Sequence, residues 1–411
     1  MIRIILIVCY ASVKSKCQSH KYFLLMQNKL SMKYIIFTLI VCGCTFFASC
    51  EKDSLSVEMH PFGELSTGEP VTLYRLKSGN GSYMDVIDYG CRVVRICVPD
   101  REGVIEDIVP GYDNIKDFEF GSERFFGSII GRFGNRIADG KFMLDGELIQ
   151  LTCNEILAGR PGHLHGGEKG FDRVMWDAEI LQEEDRVGVQ FHRVSPAGEE
   201  GYPGNLDCKI TYWWTKENVW KIEYSATTDK PTIVNLSNHT YFNLKGANGG
   251  YVMDNIMCVE SDYYLPNDIH FVPLGPSLPV EDTPFDLREP RRIDHAIDTP
   301  NEHLCNMRGF SVTWVLRNQT GELAKAADLW EPVSGRGIET WTTEPGLLTY
   351  TGRLFSDKVV GKGGIPVQKF GGMLLETLHY PNSPNHPEYP ATTLYPGQTY
   401  YSSTEFKFYT K

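Results

Sequence analysis

Short β-type segments, each closed by turn residues, recur along most of this sequence and constrain its fold more than any other feature. The segments alternate apolar and polar residues or are continuously apolar, which is typical of strands. They are residues 83–89, 92–98, 142–152, 188–194, 208–224, 232–244, 310–316, 337–342, 347–351, 373–377 and 399–409. Helical character is confined to residues 115–118 and 293–297, so the crossover helices of parallel α/β folds are missing. We therefore predict an all-β fold, a large antiparallel β-sandwich.

The chain has 411 residues, of which 42% are hydrophobic and 22% charged, so it can bury a large core. Turn residues are frequent, with 39 Gly and 23 Pro, and Asp145-Gly146 and residues 216–218 are predicted hairpin turns. No linker-like stretch or internal repeat divides residues 60–410. We predict one β-sandwich domain over residues 51–411.

Residues 1–50 form a basic leader that contains six Lys or Arg and no acidic residue. Within it, residues 34–49 form an apolar run that ends in small residues before Cys50, the pattern of an export signal. The ending Ala48-Ser49-Cys50 resembles a bacterial lipoprotein processing site, which implies a mature chain that starts at lipid-modified Cys50. Met32 is a better translation start than Met1, because an export signal rarely follows a long preceding segment. A permanent anchor helix is the alternative, although the run is short for a membrane span.

The charge distribution bears on location and partners. All 52 Asp and Glu lie beyond the leader, and the whole chain has a formal net charge of −12. Such an acidic surface disfavours nucleic acid as a partner and leaves the lipid as the expected membrane contact. We expect an exported lipoprotein of a bacterium, periplasmic or at the outer membrane, and a monomer or dimer.

Six Cys follow the leader, and none of them forms a Cys-x-x-Cys pair. A domain of this size needs no disulfide for its stability, so scattered core thiols are the prediction, with oxidation in an export compartment left open. They are Cys91, Cys97, Cys153, Cys208, Cys258 and Cys305.

Glu376 and His239 are the two strongest candidates for acid-base chemistry. Glu376 follows three apolar residues in a strand-like segment, and a desolvated carboxylate becomes a base near neutral pH. His239 lies in a segment dense in Asn, Ser and Thr, which indicates a polar pocket. An outward-facing or Arg-paired Glu and a satisfied core His are the alternatives.

Two further segments carry candidate ligand-binding groups. His163 and His165 would face the same way in a strand and could join His239 in a zinc site, but the surrounding glycines favour a loop, and we predict no metal. Arg132, Asn135 and Arg136 sit at a small-residue turn suited to a polyhydroxylated ligand, with surface ion pairing as the alternative. Asp286 could orient a hydroxyl or cap a turn.

Taken together and in this order, the segments resemble the aldose 1-epimerase (mutarotase) family. The motifs are GRFGNRIADGKFMLDG at 131, HLHGGEKGFDRVMW at 163, NLSNHTYFNL at 235, TPFDLR at 283, TTEPGLLTYTG at 342 and GGMLLET at 371. The resemblance implies a galactose mutarotase-like supersandwich that needs no cofactor. It makes Glu376 the catalytic base, His239 the acid and His165 a second active-site His. Substrate-binding positions fall on Asn135, Arg136 and Asp286.

The implied reaction interconverts the α and β anomers of free aldoses of the glucose and galactose type. Removal of the anomeric hydroxyl proton and protonation of the ring oxygen open the ring, which recloses on its other face. A glycoside hydrolase that uses Asp286 and Glu376, and a non-catalytic carbohydrate-binding lipoprotein, are the alternatives.

The sequence departs from the family pattern in three places, which leaves the identity of the sugar open. Residues 311–313 are Ser-Val-Thr where Asp-His-Asn is frequent, Arg353 replaces a common Asn, and Leu378 replaces a Gln.

Overall fold

The computed structural model describes residues 54–298, 301–307 and 309–411. The predicted leader, with Met32 and the lipidation site Cys50, lies outside these residues. Within the described part of the chain, no helix is both long enough and apolar enough to cross a bilayer.

Strands make up most of the regular structure. In chain order, the strands of the first half are β1 Ser56–Glu64, β2 Pro70–Lys77, β3 Tyr83–Ile87, β4 Arg92–Pro99, β5 Ile105–Asp107, β6 Ile129–Ile130, β7 Arg136–Ala138, β8 Lys141–Leu144, β9 Glu147–Gln150, β10 Glu155–Leu157, β11 Arg160–Leu164, β12 Asp177–Gln182, β13 Arg186–Ser195, β14 Leu206–Thr215 and β15 Val219–Thr228. Those of the second half are β16 Thr232–Ile233, β17 Ser237–Asn238, β18 Tyr241–Phe242, β19 Ile256–Val259, β20 Ser261–Leu265, β21 Leu278–Pro279, β22 Arg291–Arg292, β23 Ser311–Leu316, β24 Ala324–Trp330, β25 Arg336–Thr342, β26 Gly346–Tyr350, β27 Met373–Leu378, β28 Thr393–Leu394 and β29 Tyr400–Thr410. The α-helices are α1 Ile115–Phe120, α2 Ile293–Ile297 and α3 Glu302–Met307.

Three large sheets organise these strands. The largest has nine strands in the order β12-β13-β14-β15-β29-β25-β24-β19-β22, the next has six in the order β18-β27-β26-β23-β20-β21, and strands β1 to β5 form a third. The strand pairs within these sheets are antiparallel. The predicted all-β, antiparallel fold is confirmed.

One large apolar cluster joins the inner faces of the three sheets. It includes Leu76 of β2, Trp220 of β15 and Trp314 of β23, all with no exposed surface. Trp220 also stacks on Phe406 of β29, with ring centroids 5.0 Å apart. Burying a large apolar side chain contributes about 1.5–3 kcal/mol, so this cluster gives the site a rigid support.

Local turn chemistry agrees with most of the sequence predictions. Asp145-Gly146 joins β8 to β9, and residues 216–218 join β14 to β15, as predicted. Helix α3 was not predicted; the Asn301 side chain accepts hydrogen bonds from the amides of His303 and Leu304 at its start. Five of the six predicted thiols are free Cys residues: Cys91, Cys97 and Cys208 are buried, and Cys153 and Cys258 are partly buried.

The predicted single strand over residues 232–244 is wrong. This segment forms three two-residue strands, β16, β17 and β18, which pair with β28, β6 and β27 in three different sheets. Between these short strands, Asn side chains pair with backbone groups that a continuous strand would pair in its ladder. The Asn238 side chain accepts from the Thr240 amide, and the Asn235 side chain donates to the His379 carbonyl. His239 therefore lies at a break between sheets instead of inside a ladder.

Candidate active site

A cavity of about 330 Å³ opens on one face of the six-stranded sheet and contains the side chains of Glu376, His239 and His165. The sheet forms its floor, because strand residues two apart point to the same side. Leu348 of β26 pairs directly with Glu376 of β27, and Tyr350 pairs with Leu374 one row further along. The segments that carry His165, His239 and Glu376 are far apart in sequence, and they meet over this pair of strands.

Glu376 is a buried carboxyl with few polar neighbours. Its side chain is 1% exposed, and neither carboxylate oxygen has a hydrogen-bond partner among the described residues. Burial raises its pKa to about 8, although the charge of Arg136 opposes this shift. The Glu376 carboxyl therefore favours its protonated form at neutral pH, and a polar ligand can supply the partners that it lacks.

His239 is held by its backbone and surrounded by rings. Its amide donates to the Ser128 carbonyl at 2.8 Å, and its ring lies 5.5 Å from the ring of Phe125 and 5.2 Å from that of Tyr241. Burial lowers its pKa to about 3, and Nδ1 has no partner in the described structure. The His239 imidazole is neutral at physiological pH and can accept a proton from a ligand.

His165 sits on a tight loop that the glycines after it make possible. Its own φ is 49°, and Gly166 and Gly167 have φ of 88° and 101°, which strongly favour glycine. The Asn135 amide donates to Nδ1 at 3.2 Å, so the neutral ring carries its proton on Nε2. Nδ1 also lies 4.0 Å from Glu376 Oε1. Burial, followed by the nearby His239, lowers the pKa of His165 well below its usual value.

The predicted arginines divide into two roles. Arg136 lines the cavity, where its guanidinium makes a fork to Glu155 at 2.6 and 3.0 Å and lies 5.4 Å from the ring centroid of Phe271. Arg132 is 2% exposed and instead donates to the carbonyls of residues 195, 196, 203 and 204, which is a structural role. Asn135 lines the cavity beside Arg136. Its backbone makes two hydrogen bonds with His165: the Asn135 carbonyl accepts from the His165 amide, and the Asn135 amide donates to His165 Nδ1.

Asp286 is the predicted site residue that the structure does not bring to this cavity. Its carboxylate makes a fork to Arg288, two residues along the same turn, at 2.9 and 2.7 Å. It lines a separate, open cavity of about 840 Å³. The Asp286 carboxylate is therefore paired with Arg288 within its own turn, and it lies outside the cavity that contains Glu376.

The three-His zinc site considered from sequence is not assembled, because His163 faces away from His239. Its ring nitrogens contact the Thr152 carbonyl at 2.7 Å and the Tyr202 hydroxyl at 2.6 Å. A different set comes together: potential ligand atoms of His165, His239 and Glu376 lie within 4.8 Å of one another. Two neutral imidazoles and a carboxylate could hold a divalent metal, and the same three groups are those expected to move protons.

Sequence reasoning missed Glu123 and Phe125, which line the cavity from the loop before β6. Buried Arg92 donates to the carbonyls of Arg124 and Phe126, and Arg124 makes a fork to Asp172 at 2.7 and 2.8 Å. Burial raises the pKa of Glu123 to about 7. In the sequence, the feature that could have indicated this loop is the charged pair Glu123-Arg124 followed directly by two Phe residues.

Two of the three departures from the family pattern fall in the cavity. Ser311 and Arg353 line it, whereas Leu378 packs in an apolar cluster. The Arg353 guanidinium lies 5.5 Å from the ring centroid of Phe271, and its buried Nε has no hydrogen-bond partner among the described residues.

Comparisons with known proteins identify the family of the chain. Residues 72–407 match the family model for aldose 1-epimerase. The galactose mutarotase of Mus musculus is 38% identical over 355 residues, covering 86% of this chain and 99% of the mouse protein. The aldose 1-epimerase of Escherichia coli (strain K12) is 31% identical over 343 residues, 83% of this chain and 96% of its own. The crystal structure of galactose 1-epimerase from Lactobacillus acidophilus NCFM matches with a TM-score of 0.75 and 26% identity, covering 87% of this chain and 99% of its own. The chain belongs to the aldose 1-epimerase family.

Proposed function

We propose that this protein is an isomerase that interconverts the α and β anomers of free aldoses by opening and reclosing the sugar ring. The observation that carries the proposal is the meeting of three buried side chains, Glu376, His239 and His165, in one cavity. The carboxyl among them has no hydrogen-bond partner in the described structure. Membership of the aldose 1-epimerase family supports the same reaction.

The site stores one proton that titrates near neutral pH. Burial favours the uncharged form of each group, so the proton rests on Glu376 and His239 is neutral. Transfer of that proton from Glu376 to His239 gives an ionised carboxylate beside an imidazolium, which holds the same number of protons. The pair therefore always offers one donor and one acceptor, which the reaction requires.

In the ring-opening step, the ionised Glu376 accepts the proton of the anomeric hydroxyl while His239 donates a proton to the ring oxygen. The C1–O5 bond breaks, and the sugar becomes an open-chain aldehyde. After rotation about C1–C2, the two groups exchange roles and the ring closes on the other face. The Nε2–H of His165 is a fixed donor that can stabilise charge on the ring oxygen, since its Nδ1 accepts from the Asn135 amide.

Polarimetry of the purified protein with freshly dissolved aldoses tests this proposal. We expect the approach to anomeric equilibrium to accelerate with protein concentration for at least one aldose. Saturation-transfer NMR between the two anomeric proton signals checks the same exchange at equilibrium. An unchanged rate across glucose, galactose, pentoses and acidic aldoses would refute it.

The hydrolase alternative is less well supported, because Asp286 and Glu376 line different cavities. Release of reducing ends from oligosaccharides would favour it. Binding of a sugar without anomeric exchange would favour the non-catalytic alternative.

We also propose that the enzyme is exported and carries lipid on Cys50, in the periplasm or at the outer membrane of a bacterium. The support is the acid-free leader, its apolar run and the ending Ala48-Ser49-Cys50.

A further inference from the structure

We propose that the preferred substrates are aldoses that carry a carboxylate, the hexuronic acids, and that Arg353 binds this carboxylate. The inference rests on the proposed function, because it assigns the substrate class of the same cavity.

Arg353 is a cation without a partner. Within the described residues, its guanidinium forms no ion pair or hydrogen bond, and its polar Nε is buried. A buried donor without an acceptor carries a free-energy cost, so such groups in native proteins commonly have a partner or serve a ligand. The guanidinium instead lies against the face of Phe271, at 5.5 Å from the ring centroid.

The other arginines of the cavity are already neutralised. Arg124 makes a fork to Asp172, and Arg136 makes a fork to Glu155. Arg353 is therefore the uncompensated guanidinium of the described cavity wall.

The two remaining carboxyls of the wall do not balance this charge. Neither of them pairs with Arg353: both carboxylate oxygens of Glu376 lack a hydrogen-bond partner among the described residues, and Glu123 Oε1 accepts from the Phe125 amide at 3.3 Å. Glu123 also belongs to the loop that buried Arg92 holds. An anionic ligand would supply the partner that the Arg353 guanidinium lacks.

The backbone around Arg353 is fixed before a ligand arrives. The Leu354 amide donates to the Tyr350 hydroxyl at 2.8 Å, and the Phe370 amide donates to the Gly352 carbonyl at 3.1 Å. The Phe271 ring contacts the guanidinium groups of both Arg353 and Arg136, with centroid distances of 5.5 and 5.4 Å. A guanidinium held in advance loses less conformational entropy when it binds an anion.

Arg353 lines the same cavity as Glu376 and His239, and it follows the strand that pairs with Glu376. Leu348 is the strand partner of Glu376, and Tyr350 lies one row further along the same face. Such rows are about 7 Å apart, and Arg353 follows beyond Tyr350. A pyranose with its anomeric carbon at Glu376 can therefore direct a substituent of the opposite side toward Arg353.

A carboxylate fits this site better than other anions. The planar fork of one guanidinium matches the two oxygens of a carboxylate, and one positive charge matches one negative charge. A phosphate ester carries close to two negative charges and would remain partly unpaired.

The test compares kcat/KM for anomeric exchange of galacturonate and glucuronate with kcat/KM for galactose and glucose. We expect the wild-type protein to favour the uronates. Arg353→Asn should lower the ratio of uronate to hexose about 10- to 100-fold, since a charge-assisted pair is lost. Arg353→Lys should retain part of the ratio. Lys209→Asn, which removes an exposed charge from β14, should leave the ratio unchanged.

Other outcomes separate the inference from the proposed function. Hexose exchange with a ratio that Arg353→Asn does not change would refute the inference and leave the proposed function standing, and so would a preference for hexose 6-phosphates. If no aldose is turned over, the proposed function fails. Calorimetric titration with galacturonate then decides the inference alone: binding weakened by Arg353→Asn supports it, and equal binding or none overturns it.

Discussion

At the residue scale, burial decides the chemistry of Glu376 and His239. The same two side chains on a solvated surface would be an ionised carboxylate and a partly protonated imidazole at neutral pH. In the cavity, desolvation reverses the charge preference of both.

We predict that Glu376→Gln lowers anomeric exchange by about 10²- to 10⁴-fold, because Gln keeps the size of the side chain but accepts no proton. His239→Asn should be comparably severe. Polarimetry gives the rates, and sugar binding by calorimetry should persist in the Gln variant. Asp286→Asn is the matched control and should keep the rate, since its carboxylate lies outside the cavity. Near wild-type exchange in Glu376→Gln would contradict the assignment.

The pH dependence of kcat/KM should be bell-shaped. The pKa of Glu376 is raised to about 8, so the site keeps its titrating proton below that pH and loses it above. Activity should therefore fall on the alkaline side near pH 8. On the acid side, it should fall when a second proton charges the His239 and Glu376 pair. Both limbs belong to the coupled pair. A rate that stays constant from pH 6 to pH 10 would contradict the assignment of one shared proton to Glu376 and His239.

We predict that activity does not require a metal, although His165, His239 and Glu376 could hold one. Exhaustive dialysis against a chelator should leave the exchange rate unchanged, with metal content measured by mass spectrometry. Added zinc should lower the rate, because a metal bound to these groups removes the proton acceptors. Stoichiometric zinc in the purified protein, with activity lost on its removal, would reverse this prediction.

At the scale of elements, the loop after β11 depends on a close backbone approach. A Cβ at Gly166 would lie 1.7 Å from the Gly131 carbonyl oxygen, and φ at Gly166 is 88°. The loop that carries His165 and the loop that carries Asn135 are therefore pressed together, which positions the imidazole.

Gly166→Ala should reduce both stability and activity. Gly146→Ala is the matched control, because Gly146 has a similar φ of 85° but a Cβ there would meet no described atom within 4 Å. We expect Gly166→Ala to lower the free energy of unfolding by about 2 kcal/mol or more beyond the control, measured by chemical denaturation. Equal losses in the two variants would show that the backbone conformation, and not the close approach, limits this loop.

At the scale of the whole molecule, the proposed export and lipidation predict a mature chain that begins at Cys50. Intact mass spectrometry of protein extracted from membranes should give the mass of residues 50–411 plus the lipid. Cys50→Ala should abolish the lipid mass and release the protein from the membrane fraction. An unmodified N-terminus or a retained leader would contradict the prediction.

The sequence by itself determined the all-β class and the hairpin turns at Asp145-Gly146 and residues 216–218. It also pointed to five residues that line the cavity, namely Glu376, His239, His165, Arg136 and Asn135. Alternation of apolar residues and turn chemistry act over a few neighbouring residues, so they can be read from the chain. Glu376, His239 and His165 were identified through motifs that resemble those of a family.

Only the tertiary structure decided which of these groups meet. It divided residues 232–244 among three sheets, left Asp286 with Arg288 and added Glu123 to the cavity. It also left Arg353 without a partner in the described structure. These outcomes depend on contacts between residues far apart in the chain and on burial. Burial, which sets the protonation of Glu376, exists only once the sheets have packed.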